Sequence, residues 1–379
     1  MRLLLLNMHF FLVAVIAIYL GMQYYLAWWV VRSFPGLPLS PYAIRLIILS
    51  IALSFPLSFY LLRRFPSPLT EVFGVVSLVW FGMSFLCLAT AVASDVMLLA
   101  ARWAGAPPQW RQIYAWGTLA LMASLSLFSF WNALRPPLVK TVEVPLHNLP
   151  AALDGFSIAL ASDIHLGITL PFRHLERSVE RINAMDADLV VFAGDIMDRG
   201  FRHQERSITL ASSIRAKHGK YAVLGNHELY HGVAESVAWH ERAGFDLLRG
   251  RTVVLPNGLQ VAGVDDVRTA RVTKEDMARL FSGLDAGKPS VFISHQPQVF
   301  DLAAAHGVGL TLSGHTHGGQ IFPFHLLVKL ANRYLYGLYE KNGSYLYVTQ
   351  GTGYWGPPMR LLTRSEITRI VLKAPVAAK

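Results

Sequence analysis

The chain has 379 residues, 53% of them hydrophobic and 15% charged, with a formal net charge of +10. Such a length allows more than one domain and a core that needs no covalent staples, and the single cysteine, Cys87, excludes a disulfide framework and a multi-thiolate metal site. The excess charge does not mark a nucleic-acid partner, because residues 1–140 hold nine basic residues against Glu71 and Asp95, while the remainder holds 25 basic and 22 acidic residues.

Four apolar stretches come first, Leu3 to Val31, Ile44 to Leu62, Val72 to Ala100 and Tyr114 to Trp131. Crossing a hydrocarbon core takes roughly 20 helical residues, and the Trp, Tyr and Arg residues at the ends of these runs suit membrane interfaces. The first run is about twice the roughly 7–15 residues of a signal-peptide core. We therefore expect an all-α membrane domain of four transmembrane helices over residues 1–135, anchoring the chain in a cell or inner membrane. Asp95 is expected at an interface close to Arg102. Four spans put Arg2, Arg63, Arg64, Arg135 and Lys140 on the side of the C-terminal half, against Arg32, Arg45, Arg102 and Arg111 opposite, which favours a cytoplasmic catalytic domain.

Acids reappear after Arg135-Pro136-Pro137, and residues 136–149 read as a linker. From residue 150 to 375 short β-type runs alternate with amphipathic segments. Strands are expected at Phe156 to Ala161, Leu189 to Ala193, Tyr221 to Leu224, Gln260 to Val264, Ser290 to Ile293, Gly309 to Leu312 and Leu346 to Thr349. Helices are expected at Phe172 to Met185, Glu205 to Ala216 and Val233 to Ala243. The layout is α/β, a sheet structure covered by helices.

Five strand candidates run directly into polar clusters: Asp163-Ile164-His165, Gly194-Asp195-Ile196-Met197-Asp198-Arg199-Gly200, Gly225-Asn226-His227-Glu228, Ser294-His295, and Gly314-His315-Thr316-His317-Gly318-Gly319-Gln320. Sheets of this class place ligands beyond the carboxyl ends of their strands. Imidazole and carboxylate ligands suit divalent Mn, Fe, Zn or Ni.

In this order and spacing the clusters resemble the calcineurin-like metallophosphoesterase superfamily, whose pattern is D-x-H, G-D-x-x-D, G-N-H-[ED], H and G-H-x-H. The resemblance implies a metallophosphoesterase β-sandwich flanked by helices, and hydrolysis of a phosphoester or pyrophosphate bond by hydroxide held between two divalent metal ions. It further implies that Asp163, His165 and His317 ligate one ion, that Asn226, His295 and His315 ligate the other, and that Asp195 bridges them. His227 is implied to protonate the leaving oxygen with Asp198 orienting its ring, although a purely supportive role for this pair stays open. Arg199 is either a phosphate contact, as in the Ser/Thr phosphatase branch, or a solvent-facing loop residue.

Surface or helix-face positions are expected for the other histidines, among them His174, His203, His218, His231, His240 and His325. The apolar run from Ile321 to Leu330 is either a lip that meets the membrane interface or an acyl chain, or a plain amphipathic helix. Arg360, beyond the loop from Gly351 to Pro358, is a candidate phosphate contact. G-H-T-H-G-G-Q and the membrane anchor resemble the bacterial membrane-associated branch that includes enzymes cleaving the pyrophosphate of UDP-diacylglucosamine. That resemblance implies a phosphorylated small-molecule or lipid substrate. The rival reading is a membrane transporter or receptor whose metal domain senses nucleotides or ions.

Overall fold

The computed structural model describes residues 2–198, 201 and 203–375, with side chains up to residue 12, and that of residue 14, outside the description. Two compact units emerge, one reaching to Trp131 and including Ile321–Pro323, the other formed by the remainder from Asn132 onward.

The first unit holds four helices, α1 (Arg2–Ser33), α2 (Pro41–Arg64), α3 (Pro68–Trp103) and α4 (Trp110–Leu134). Serines and prolines set where two of them begin. The Ser40 hydroxyl accepts from the Ala43 amide, Ser67 forms a reciprocal capping box with Thr70, and Pro41 and Pro68 follow these caps where a missing N–H costs nothing. Among the described residues, α2, α3 and α4 are long and apolar enough to cross a membrane. The expected four spans are thus corrected to three candidates; the stretch from Leu3 to Val31 falls on α1, much of whose side-chain set lies outside the described residues. Asp95 pairs with Arg32 rather than with Arg102, and also accepts from the Tyr25 hydroxyl at 2.7 Å. The Arg32 guanidinium stacks over Trp28, 4.1 Å from the ring centre. A carboxylate satisfied in this way is a structural pair between helix ends.

The second unit runs β1 (Leu138–Pro145), β2 (Ser157–Ala161), α5 (Phe172–Ala184), β3 (Leu189–Phe192), α6 (Gln204–Ser212), β4 (Lys220–Ala222), α7 (Asn226–His231), α8 (Val233–Arg242), β5 (Asp246–Leu247), β6 (Arg251–Val254) and β7 (Gln260–Val264). It continues through α9 (Lys274–Ser282), β8 (Ser290–Ser294), α10 (Phe300–Ala305), β9 (Leu310–Ser313), α11 (Phe324–Ala331), β10 (Gly337–Lys341), β11 (Ser344–Val348) and β12 (Glu366–Lys373). Two six-stranded sheets result, ordered β1-β12-β2-β3-β4-β5 and β10-β11-β9-β8-β7-β6. Residues 136–149, expected as a linker, supply β1, which pairs in parallel with β12 from Leu138 to Pro145. An edge strand with most side chains exposed carries no continuous apolar run to announce it.

Side-chain alternation builds the layers. Ile158 and Leu160 of β2 point toward Val261, Val291, Leu312 and Tyr347 of the second sheet, forming the inter-sheet core. Ala159 and Ala161 point the other way, toward Leu175, Val179 and Ile182 of α5 and Trp239 of α8. A further cluster packs Met277 and Phe281 of α9 on Phe292 of β8. Each large apolar side chain buried this way stabilises the fold by roughly 1.5–3 kcal/mol. Strands β2, β3 and β4 are mutually parallel in one sheet and β7, β8 and β9 in the other. Their carboxyl ends open into the loops described next.

Candidate metal centre

The site is assembled where the five motifs leave their strands. Asp163 and His165 follow β2, Asp195 and Asp198 follow β3, Asn226 and His227 open α7 just after β4, His295 follows β8, and His315 and His317 follow β9. The backbone is bent sharply at these positions: Asp163, His165, Asp195, His315 and His317 all have φ between 51° and 73°. Non-glycine residues rarely adopt this left-handed region, and its strain is tolerated where packing over-determines it. Glycines admit the close approach of the loops. A Cβ on Gly194 would sit 2.7 Å from the Gly225 amide nitrogen and 2.8 Å from His295 Nδ1, and one on Gly225 would overlap the Asp195 carboxylate.

Ligand atoms converge in three overlapping groups, Asp163 with His165 and His317, His165 with Asp195 and His227, and Asp195 with His295 and His315, each within 4.8 Å. His165 Nε2 and His317 Nε2 are 3.0 Å apart, and His295 Nε2 is 3.2 Å from His315 Nδ1 and 3.0 Å from Asp195 Oδ2. The opposite ring nitrogens are committed elsewhere. His295 Nδ1 lies 2.8 Å from the Ala193 carbonyl and His165 Nδ1 lies 2.8 Å from Asp198 Oδ1, so each donates there and turns its Nε2 lone pair inward. Asn226 Oδ1 is buried and without a hydrogen-bond partner. Buried carboxylates, inward lone pairs and an orphaned amide oxygen fit divalent cations.

His227 Nδ1 is 2.7 Å from the same Asp198 Oδ1, and its amide donates to Asp195 Oδ1 at 2.8 Å. Burial opposes the charge on His227, but Asp198, through its hydrogen bond, and Asp195 outweigh this and raise it to about 9. Asp198 is pushed up by burial, yet the imidazoles of His165 and His227 hold it well below the usual carboxylate range. His295 is lifted to about 10 against its burial, chiefly by Asp195, whereas burial and the His295 charge bring His315 down to about 4. Divalent ions would add positive charge to all of these groups and favour their deprotonated forms.

Glu228 is a site residue whose role the sequence does not announce. It is fully buried, and its carboxylate accepts from the amides of Asp195 and Gly225 at 2.8 Å each, Ile196 at 2.6 Å and Met197 at 2.9 Å. One side chain therefore fastens the Asp195 loop to the Asn226-His227 loop. Gln320 likewise clamps the 355–357 loop, accepting from the Trp355 amide at 2.9 Å and donating to its carbonyl at 2.8 Å. Asp266, at the end of β7, is buried with Oδ2 unpartnered, and its charge acts on His295 and His315. An acidic pair directly after a strand was the available signal.

Two expectations meet a different outcome. Arg360 is fully buried and donates to the carbonyls of Gln350 and Gly353, both at 2.7 Å, with Nη2 3.4 Å from His317 Nδ1. It braces the loop behind the site instead of reaching a phosphate. His174 and His240 are buried, not superficial, and His174 Nε2 lies 2.7 Å from the Thr352 carbonyl. Arg199 lies outside the described residues.

Nitrogen and oxygen donors gathered at the strand ends of two facing sheets fit the metal-dependent hydrolase class. Residues 156–319 match the family model for calcineurin-like phosphoesterases. A Helicobacter pylori metallophosphoesterase is 36% identical over 247 residues, 64% of this chain and 66% of that protein. A Bos taurus transmembrane protein with a metallophosphoesterase domain is 32% identical over 314 residues, 77% of this chain and 71% of that protein. Among solved structures, a dimetal phosphatase from Danio rerio aligns over 57% of this chain and 99% of its own, at 14% identity and a TM-score of 0.36. The chain belongs to the calcineurin-like metallophosphoesterase family, phosphoester hydrolases that use a dimetal centre.

Proposed function

We propose that the protein hydrolyses a phosphomonoester, phosphodiester or pyrophosphate bond in a lipid-linked or otherwise amphiphilic molecule. The convergence of the His, Asp and Asn donors beside the His227–Asp198 pair supports the chemistry, and candidate membrane spans in the same chain support the substrate class. Asp163, His165 and His317 would hold one ion, Asn226, His295 and His315 the other, and Asp195 would be shared between them. When bound, such ions supply water activation at neutral pH and neutralise charge on the phosphoryl oxygens.

His227 holds the proton that the leaving oxygen requires. Asp198 keeps the Nδ1 side of that ring occupied as a donor, so that the Nε2 side is the one free to deliver a proton. Tyr230 and Trp355 flank the His227 ring, with centroids 5.8 Å and 6.3 Å away, and give the leaving group an apolar wall. With α1 counted as a span beside α2, α3 and α4, the flanking basic residues favour the cytoplasmic face for the catalytic domain by five to four. Thiol labelling of a surface cysteine in intact cells and in inverted vesicles tests that side.

Hydrolysis of bis-p-nitrophenyl phosphate and p-nitrophenyl phosphate by the purified full chain with added Mn tests the reaction. The reading requires metal-dependent turnover that collapses in Asp195→Asn. Wild-type protein inactive on both esters and on phosphorylated lipids, with every divalent metal tried, would overturn it.

A further inference from the structure

Helix α11 has no buried residue, and its Leu326, Leu327 and Leu330 are 51%, 58% and 86% exposed. It packs on the His317–Gly319 turn, so this apolar surface adjoins a candidate metal ligand. A second exposed leucine site lies alongside. Leu362 is 73% exposed at a φ of +64°, in a loop whose neighbours grip Gln320: the Leu361 amide and the Thr363 hydroxyl both donate to the Gln320 carbonyl, at 3.0 Å and 2.8 Å. Water-exposed leucines around an active-site mouth are unfavourable unless something apolar covers them.

What covers them is indicated by the chain itself. Asn132, near the end of the candidate span α4, donates from Nδ2 to the carbonyls of Arg360 and Thr363 at 3.1 Å and 2.9 Å. The Leu362 loop is therefore pinned to the last turn of a membrane helix. Only Arg135, Pro136 and Pro137 separate α4 from β1, and three residues span at most about 10 Å. The Leu362 loop is thus tied, within the second unit, to the residues by which the chain leaves the candidate span α4. Charge agrees. Arg364, already disfavoured as a cation by partial burial, is pushed further below the ordinary arginine value by Arg135 and Arg181, which marks a basic collar suited to anionic headgroups.

We propose that α11 and the Leu362 loop form a lip that inserts into the headgroup–acyl boundary of the bilayer this chain spans, and so turns the metal centre toward phosphorylated amphiphiles held in that layer. The substrate half of this statement rests on the hydrolase reading above; the membrane contact does not.

The test uses the full chain in proteoliposomes, with Cys87→Ala and one added cysteine carrying an environment-sensitive fluorophore, in the variants L330C, L362C and V254C. Val254 is a matched control, 57% exposed but paired with Gln260, at the end of the second sheet remote from the metal loops. Quenching by lipids doxyl-labelled just below the headgroup should be at least about threefold greater at positions 330 and 362 than at 254, as shallow insertion demands. Equal quenching at all three positions would overturn the proposal. So would burial of the probe at 330 and 362 without lipid quenching, which would indicate a second copy of the chain on this face. Strong quenching in a protein that hydrolyses no phosphoester would leave the lip standing and remove the hydrolase reading.

Discussion

The helical unit and the catalytic unit bury opposite things. In the candidate spans only 17–28% of the most apolar window is buried, and large residues such as Leu69, Val76 and Leu127 face outward. The catalytic strands β2, β3, β7, β8 and β9 are buried throughout, and the space at their ends is filled with Asp163, Asp195, Glu228 and His295. The first arrangement is stable because lipid is the solvent. The second is stable because its buried carboxylates Asp163, Asp195 and Glu228 accept from backbone amides, with the His295 imidazole beside Asp195. The same chain therefore tolerates polar substitution in opposite places in its two halves.

The largest expected effect follows from breaking the catalytic half at its centre. Asp195→Asn should abolish turnover on both nitrophenyl esters, a loss larger than that of any other single variant considered. His227→Ala should lower kcat by roughly 10²–10⁴-fold for esters with poor leaving groups, as expected for loss of a general acid. The loss should be distinctly smaller for p-nitrophenyl esters, whose leaving group needs little protonation; equal losses on both would argue that the ring only supports the site.

Glu228→Gln replaces the acceptor of four amide bonds with a side chain that also carries donors. It should weaken metal affinity or activity by about 10–100-fold and lower stability by about 2 kcal/mol, read by metal titration and denaturant unfolding of the detergent-solubilised chain. Retained affinity with lost stability alone would reduce Glu228 to a fold residue. Asn132→Ala removes two hydrogen bonds to buried carbonyls and should destabilise by about 1–2 kcal/mol, visible as a lower thermal midpoint. The smallest effect is expected from Val76→Leu on the outer face of α3, where hydrolysis should be unchanged within error. A loss there comparable to that of Glu228→Gln would contradict the role assigned to the spans.

The motif residues were legible because metal chemistry restricts residue type and because strands buried on both faces read as continuous apolar runs that end abruptly in polar loops. Six of the expected strands, those at the positions of β2, β3, β4, β7, β8 and β9, have this form. Other elements lacked it. β1 shows most of its side chains to solvent, β5 is two residues long, and β12 alternates in burial along its second half. Glu228 stood in plain view inside G-N-H-E, but its task depends on four amides from two loops that only the fold brings together. Arg360 reads as a candidate phosphate contact because it follows a glycine loop next to the metal motifs; its complete burial depends on the Gln350 and Gly353 carbonyls that only the fold brings to it.

Elemental analysis of the purified full chain, wild type beside Asp195→Asn, tests the central claim most directly. The account predicts close to two divalent ions per wild-type chain, a clear loss in the variant, and turnover that disappears on chelation and returns with added metal. A wild-type protein that carries less than one ion per chain and hydrolyses phosphoesters equally well in excess chelator would contradict it.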